Sequence, residues 1–112
     1  MEANAVPMID VESAAAATGV VLLDIREHDE WFRGRIATAV HIPMSELTAR
    51  VDELDRTTPI ICICRSGNRA TSVTQWLIRQ GFDTTNLKGG LLAWEAAGHP
   101  LVNEAGNTGL VI

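Results

Sequence analysis

The segment that most constrains the fold spans residues 59–81 and reads PIICICRSGNRATSVTQWLIRQG. It begins with a short apolar run, residues 60–64, which is typical of a strand buried on both faces of a parallel sheet. Apolar residues then recur at helical spacing, and Gly81 follows as a stop signal; they are Ala70, Val73, Trp76 and Leu77. The sequence therefore predicts a strand, a tight loop and a helix, with Cys64 where the strand ends.

The loop places several electropositive groups around one thiol, and it reads Cys64-Arg65-Ser66-Gly67-Asn68-Arg69. A helix N-terminus presents unpaired N–H groups and about half a positive charge. A turn that contains glycine can direct further N–H groups inward, and two arginines flank the site. Each effect favours the thiolate form of Cys64 over the thiol. We therefore interpret Cys64 as a nucleophile rather than as a buried strand cysteine beside solvated arginines.

Length and charge limit the class of protein. The chain has 112 residues, of which 46% are apolar, which suits one domain with a core. Its net charge of −5 argues against nucleic acid or an anionic membrane surface as the main partner. No apolar stretch approaches the length of a membrane span. The clustered arginines are then a local positive region that suits a small anionic substrate.

The two cysteines, Cys62 and Cys64, provide no disulfide framework. We expect two reduced thiols in a cytoplasmic protein, with Cys62 filling the core. Residues 1–6, MEANAV, have neither the basic nor the apolar region of a secretory leader, so we expect none. The cysteine pair lacks two further ligands for zinc. The three histidines have no spacing that indicates metal binding or acid–base chemistry, and they are His28, His41 and His99.

Strand and helix signals alternate along the rest of the chain. The predicted strands are residues 8–9, 20–25, 39–43 and 84–87. The predicted helices are residues 11–18 after an Asp10 cap, 27–33, a segment from a Ser45 cap to 54, and 91–97. The three tryptophans, Trp31, Trp76 and Trp94, are interpreted as core residues at helical positions. Alternation at this spacing predicts an α/β sandwich with a mainly parallel sheet.

Asp24 and Arg26 lie at the end of the second predicted strand, where α/β folds place functional residues. We interpret them as a buried or half-buried ion pair that fixes the strand to the following helix. Loss of one partner would leave an unpaired charge, so we expect either substitution to reduce stability more than chemistry.

Three segments in register resemble the rhodanese-like superfamily of sulfurtransferases. They are Leu23-Asp24-Ile25-Arg26 with Glu30-Trp31, Gly34 and Ile42-Pro43; the Cys64–Arg69 loop; and Leu87-Lys88-Gly89-Gly90 with Ala93-Trp94 and Gly98. The segment after Gly34 departs from the family pattern, because Arg35 and Ala37 replace the usual histidine and proline. The likeness spans nearly all of residues 8–101.

The resemblance implies a single-domain rhodanese, a three-layer sandwich around a central, mainly parallel five-stranded sheet. It places the domain at residues 8–101, between a flexible arm, residues 1–7, and a C-terminal tail, residues 102–112. Cys64 would take the outer sulfur of a small anionic donor such as thiosulfate as a persulfide. It would then pass that sulfur to a thiophilic acceptor, which is cyanide, a thiol or a protein. No metal or organic cofactor is required.

The loop residues receive roles from the same resemblance. Backbone N–H groups of residues 65–69 would stabilise the persulfide. Arg65 and Arg69 would hold the oxygens of the donor through charge-assisted hydrogen bonds. Gly67 would let the loop close tightly. Ser66 and Asn68 would form hydrogen bonds within the loop or start the helix.

Two alternatives remain. A cysteine phosphatase or arsenate reductase places a similar loop at the same point of related folds, but it usually needs Cys-x5-Arg, and here the spacing is Cys-x4-Arg with Ala70 next. A rhodanese-like module that binds partners without chemistry is the second alternative. In such modules the nucleophile is often replaced, whereas Cys64 is present.

Overall fold

The computed structural model describes residues 5–112. Its sheet contains five strands: β1 (Met8–Ile9), β2 (Val21–Asp24), β3 (Val40–His41), β4 (Ile60–Ile63) and β5 (Thr84–Leu87). The strands lie in the order β1-β5-β4-β2-β3, and every neighbouring pair is parallel. The predicted α/β fold with a parallel five-stranded sheet is thus confirmed.

Helices cover both faces of this sheet. They are α1 (Val11–Ala16), α2 (His28–Arg33), α3 (Leu47–Arg50), α4 (Asn68–Arg79) and α5 (Gly90–Ala96). Side chains of α3 and α4 pack on one face, and side chains of α1 and α5 pack on the other. Because helices pack on both faces through buried apolar residues, the fold has three layers, with the sheet in the middle. Helix α2 has no buried residue.

Strand β4 lies at the centre, and all four of its residues are buried. Because side chains alternate across a strand, Cys62 and Cys64 pack with the α3 and α4 side chains, whereas Ile61 and Ile63 pack with those of α1 and α5. Strands β2 and β5 flank β4 along its length. Cys64 therefore emerges at the middle of the carboxyl edge of the sheet, where parallel α/β folds bind ligands.

The predicted helix from Ser45 to residue 54 is wrong as one element. It consists of a 3-10 turn at Met44–Glu46, the single α-turn of α3 and a second 3-10 turn at Val51–Glu53. Ser45 caps none of these, because its hydroxyl donates to Glu27 Oε1 at 2.9 Å. Leu47 is the one buried residue of the three pieces. So little buried surface does not sustain a regular helix, which depends mainly on tertiary packing.

The tryptophans divide between core and surface. Trp94 is buried, as predicted. Trp76 is half-buried at the margin of the core. Trp31 is also half-buried, but the prediction is wrong for it, because it lies outside both core clusters and stacks on the ring of His41 at 4.4 Å.

The C-terminal residues return along the body of the protein. Val102 forms antiparallel bridges with both Arg35 and Thr108, and Leu110 N–H donates to the carbonyl of Arg33 at 3.0 Å. We call residues 101–112 the C-terminal strap. Of the predicted arm, residues 1–7, the first four residues lie outside the described part of the chain. Within residues 5–112, no helix has the length and apolarity needed to cross a bilayer.

Candidate active site

Two backbone amides point at the sulfur of Cys64. The N–H of Gly67 donates to Cys64 Sγ at 3.0 Å, and the N–H of Ala70 donates at 3.4 Å. Cys64 is 1% exposed, so these bonds form in an environment of low dielectric where they are strong. Both donors come from the start of α4, whose first N–H groups have no partner within the helix. The site therefore supplies hydrogen bonds and a favourable dipole to negative charge on sulfur.

The conformation of Gly67 directs one of these amides. Gly67 has a φ of 99°, in the left-handed region, and immediately precedes α4 as its N-cap residue. Residues with a Cβ rarely adopt this conformation. The chain can thus turn sharply enough after β4 for an N–H three residues later to face the Cys64 sulfur.

Helix α5 fixes the other side of the loop. The carbonyls of Cys64 and Arg65 accept hydrogen bonds from the N–H groups of Leu91 and Leu92 at 2.9 and 3.0 Å. These donors belong to the first turn of α5, which begins at Gly90 with Gly89 as its N-cap residue. The loop is therefore held between the N-termini of two helices.

Arg69 pairs with an acid from another element. Its two terminal nitrogens each donate to one carboxylate oxygen of Glu30, both at 2.7 Å. The Arg69 hydrogen bonds lower the pKa of Glu30 and outweigh the opposite effect of burial. The Glu30 hydrogen bonds likewise raise the pKa of Arg69. This bidentate pair joins α2 to the first turn of α4 beside Cys64.

Arg65 is exposed and bonds to the C-terminal strap. Its Nε–H donates to the carbonyl of Ile112 at 2.7 Å. That contact uses one of the five N–H groups of a guanidinium. Ser66 and Asn68 are also exposed, and Asn68 is the first residue of α4. Within the predicted loop, the Gly67 amide therefore faces the sulfur, whereas Arg65, Ser66 and Asn68 lie towards solvent.

Asp24 and Arg26 form the predicted ion pair, and both are fully buried. Arg26 Nη2 donates to Asp24 Oδ2 at 2.8 Å, and Nε lies 3.0 and 3.1 Å from the two carboxylate oxygens. The same guanidinium donates to the carbonyls of Glu30 and Gly34 at 3.4 and 2.6 Å. Arg26 therefore ties the end of β2 to the middle of α2, at Glu30, and to the C-cap residue of α2, Gly34.

Sequence reasoning missed the role of Glu30 as the partner of Arg69. It placed Glu30 only in the predicted helix at residues 27–33 and in the family motif, and in the structure Glu30 also forms a capping box with Glu27. The available signal was charge placement, because an acid after β2 and an arginine after β4 meet at one edge of a parallel sheet. Neighbouring strands β2 and β4 are in register from Val21 to Asp24.

Cys62 differs from Cys64 in its surroundings. It is fully buried, and this burial raises the pKa of its thiol to about 12. It is therefore a thiol at neutral pH. Among the described residues, no three histidine, cysteine, aspartate or glutamate side chains form a group that could hold a metal ion.

The sequence is similar to that of known proteins. The family model described as 'Rhodanese-like domain' matches residues 8–97 of the sequence. The chain is 39% identical over 89 residues to YtwF of Bacillus subtilis, an alignment that covers 80% of this chain and 86% of the relative. It is 34% identical over 82 residues to the thiosulfate sulfurtransferase GlpE of Coxiella burnetii, with 72% and 76% covered.

A solved structure agrees with these relatives. The crystal structure of a rhodanese-related protein from Thermoplasma volcanium superposes with a TM-score of 0.79 at 30% identity, covering 88% of this chain and 99% of that one. The match of the family model includes both the Cys64 loop and the Gly89-Gly90 turn that supports it. The chain therefore belongs to the rhodanese-like domain family of sulfurtransferases.

Proposed function

We propose that this protein moves a sulfane sulfur from thiosulfate or a similar small anionic donor to a thiophilic acceptor through a persulfide on Cys64. The observation that supports this most directly is the pair of N–H groups at 3.0 and 3.4 Å from Cys64 Sγ. Amides in this position stabilise a thiolate before the reaction and the charged outer sulfur after it.

In the first step, the Cys64 thiolate attacks the outer sulfur of thiosulfate. A bond forms between Sγ and that sulfur, and the sulfur–sulfur bond of the donor breaks. The bonding pair leaves with sulfite, so Cys64 becomes a persulfide anion and the total charge is unchanged. Splitting the transfer into two displacements is covalent catalysis.

In the second step, the acceptor attacks the outer sulfur of the persulfide. With cyanide, a carbon–sulfur bond forms, the persulfide bond breaks and thiocyanate leaves, which restores the Cys64 thiolate. A thiol or a protein takes the sulfur by the same displacement and becomes a persulfide itself. Neither step needs a metal or an organic cofactor.

The charges at the loop favour a small anionic donor. Arg65 is exposed and has N–H groups beyond the one that Ile112 accepts, so we assign it the sulfonate oxygens. Arg69 donates both terminal nitrogens to Glu30, so its contribution to the donor is mainly its charge and the placement of α4. The relative GlpE carries thiosulfate in its name, which makes thiosulfate the first donor to test.

The pairing of Arg69 also argues against phosphatase chemistry. A phosphoryl group needs an arginine that reaches across the loop to its oxygens, and both terminal nitrogens of Arg69 are directed to Glu30.

We assign the activity to residues 8–101 and the protein to the cytoplasm, where reducing conditions keep a thiol such as Cys64 free.

Mass spectrometry of the intact protein tests the proposal. After incubation with thiosulfate, we expect one added sulfur atom, which cyanide then removes as thiocyanate. Cys64→Ser should take up no sulfur and remain folded, whereas Cys62→Ser should still load, because Cys62 contributes packing only.

Equal loading of the wild type and Cys64→Ser would contradict the proposal. So would a wild-type protein that takes sulfur from no donor, which would favour a module that binds partners without chemistry. Hydrolysis of a phosphate ester with no loading from thiosulfate would favour a phosphatase.

A further inference from the structure

One carbonyl oxygen of the Cys64 loop accepts three hydrogen bonds. The carbonyl of Gly67 receives the backbone N–H of Thr71 at 3.1 Å and the Thr71 hydroxyl at 2.9 Å. It also receives the side-chain amide of Asn86 at 3.1 Å. The Asn86 amide lies 3.2 Å from the Thr71 hydroxyl as well. Two polar side chains, from β5 and from α4, therefore converge on one atom of the loop.

Asn86 is an unexpected residue at its position. It lies on β5 beside Cys62 of the central strand and is 0% exposed. An apolar side chain would fit this buried strand, because burial of a polar group is costly unless every polar atom is paired. Within residues 5–112, Asn86 Oδ1 has no hydrogen-bond partner. The side chain therefore keeps an uncompensated cost, which its contact with the loop offsets only in part.

The Gly67 carbonyl is connected to the Cys64 sulfur through one residue. Gly67 has a φ of 99° and a ψ of −12°, and its own N–H donates to Cys64 Sγ. The direction of the carbonyl sets ψ, and because glycine has the widest choice of φ and ψ, the conformation of Gly67 depends on contacts such as these. Fixing the carbonyl therefore fixes the amide that faces the sulfur.

We propose that Asn86, together with Thr71, is a positioning residue for Cys64. Its amide holds the Gly67 carbonyl so that the Gly67 N–H points at Sγ, in the thiolate and in the persulfide. This inference extends the proposed function, because the placed amide stabilises the charge that sulfur transfer develops. Asn86 acts through the backbone of the loop and does not touch the donor.

The alternative role is purely structural, with Asn86 joining β5 to α4 and nothing more. A matched control separates the two. Thr84 lies on the same strand and the same face, two residues earlier, and is also buried. Its hydroxyl donates to the carbonyl of Phe82 at 3.3 Å, away from the loop. Thr84→Val therefore removes a buried hydrogen bond of β5 without reaching Gly67.

The first measurement requires no sulfur donor. We expect Asn86→Leu to slow alkylation of Cys64 by iodoacetamide at neutral pH about tenfold, the usual effect of one net hydrogen bond. Thr84→Val should react like the wild type. Thr71→Val should also slow the reaction, and Thr71→Ser, which retains the hydroxyl, should restore it. Thermal unfolding of each variant measures its loss of stability.

The second measurement uses steady-state sulfur transfer from thiosulfate to cyanide. We expect Asn86→Leu to lower kcat about tenfold and to change KM by less than about twofold, because only the charge on sulfur loses stabilisation. If Asn86→Leu does not fold, Asn86→Asp keeps the shape and replaces the donor with an acceptor, and the same decreases are expected.

Equal slowing by Asn86→Leu and Thr84→Val, or wild-type rates in Asn86→Leu, would overturn the inference. The donor-free measurement also separates it from the proposed function. If the wild type takes sulfur from no donor but only the Asn86 and Thr71→Val variants lose alkylation rate, the positioning role holds and the sulfurtransferase proposal fails.

Discussion

At the scale of single residues, two cysteines of one strand face obtain different chemistry from their neighbours. Cys62 and Cys64 are equally buried, so exposure does not distinguish them. Burial raises the pKa of Cys62 to about 12, and the amides that would stabilise an anion there already serve the sheet ladder. Cys64 lies one residue beyond β4, where the ladder ends and the amides of α4 are available. Backbone donors to a cysteine sulfur are therefore available where this strand ends and not in its interior.

At this scale, burial also determines how much the Asp24–Arg26 pair affects the stability of the fold. We expect Arg26→Met to lower the free energy of unfolding by about 3–5 kcal/mol, because Asp24 would remain buried without its partner. Chemical denaturation followed by circular dichroism measures the change.

Arg50→Met is the matched control for this prediction. Arg50 pairs with Glu46 and Glu53 at the surface, and exposed pairs contribute about 0–1 kcal/mol. If Arg26→Met lost no more stability than Arg50→Met, the buried pair would not have the importance that its geometry indicates.

At the scale of elements, the sequence predicted best those segments in which the apolar pattern agrees with the residues that cap or end the element. Strand β4 was visible as an apolar run, and α4 as a helical repeat ending before Gly81, whose φ is 93°. Asp10 caps α1 through Ser13 N–H at 2.7 Å, as its type predicts. The predicted strand at residues 84–87 has the bounds of β5.

The elements and contacts that were missed depend on long-range packing. The segment after Pro43 has helical spacing, but it buries too little surface for one helix. The pairing of Glu30 with Arg69, 39 residues apart, depends on which strands are neighbours, and local patterns do not report strand order. Asn86 looked like an ordinary polar residue of a strand, because its hydrogen bonds to Gly67 and Thr71 form only where β5 lies against the start of α4.

Glu30 and Arg69 connect two elements, α2 and α4, and their ionisation should affect stability. The pKa of Glu30 is lowered in the folded protein, first by the Arg69 hydrogen bonds. A carboxyl with a lowered pKa stabilises the fold above its unfolded pKa, and this contribution is lost as pH falls through the folded value. We expect the difference in unfolding free energy between the wild type and Glu30→Gln to be constant above about pH 6 and to shrink below about pH 4.5.

Denaturation at a series of pH values measures this difference. Glu53→Gln serves as the control, because the pKa of Glu53 is also lowered, by Arg50, but at the exposed surface, where the difference should be small at every pH. A Glu30→Gln difference that did not change between pH 7 and pH 3 would show that the pair does not link α2 to α4 energetically.

At the scale of the whole molecule, the C-terminal strap connects parts of the fold that are distant in sequence. Val102 pairs with Arg35, Val111 N–H donates to Glu95 at 3.2 Å, and the Ile112 carbonyl accepts from Arg65 beside the site. Arg35 also contacts Trp31 through its guanidinium, 4.8 Å from the ring centre, and pairs with Glu104 of the strap at 2.7 Å. The arginine that replaces the usual family histidine is therefore part of the attachment of the strap.

Close packing at Gly34 makes this attachment testable. A Cβ at Gly34 would overlap the backbone carbonyl of Leu110, and backbone cannot yield as a flexible side chain can. We expect Gly34→Ala to displace the strap, to lower stability by about 1–3 kcal/mol and to speed cleavage after Glu104 by a glutamate-specific protease. Thr38→Ala, at an exposed position of the same connection, should change neither quantity. Cleavage of Gly34→Ala at the wild-type rate would show that the strap is not held against residue 34.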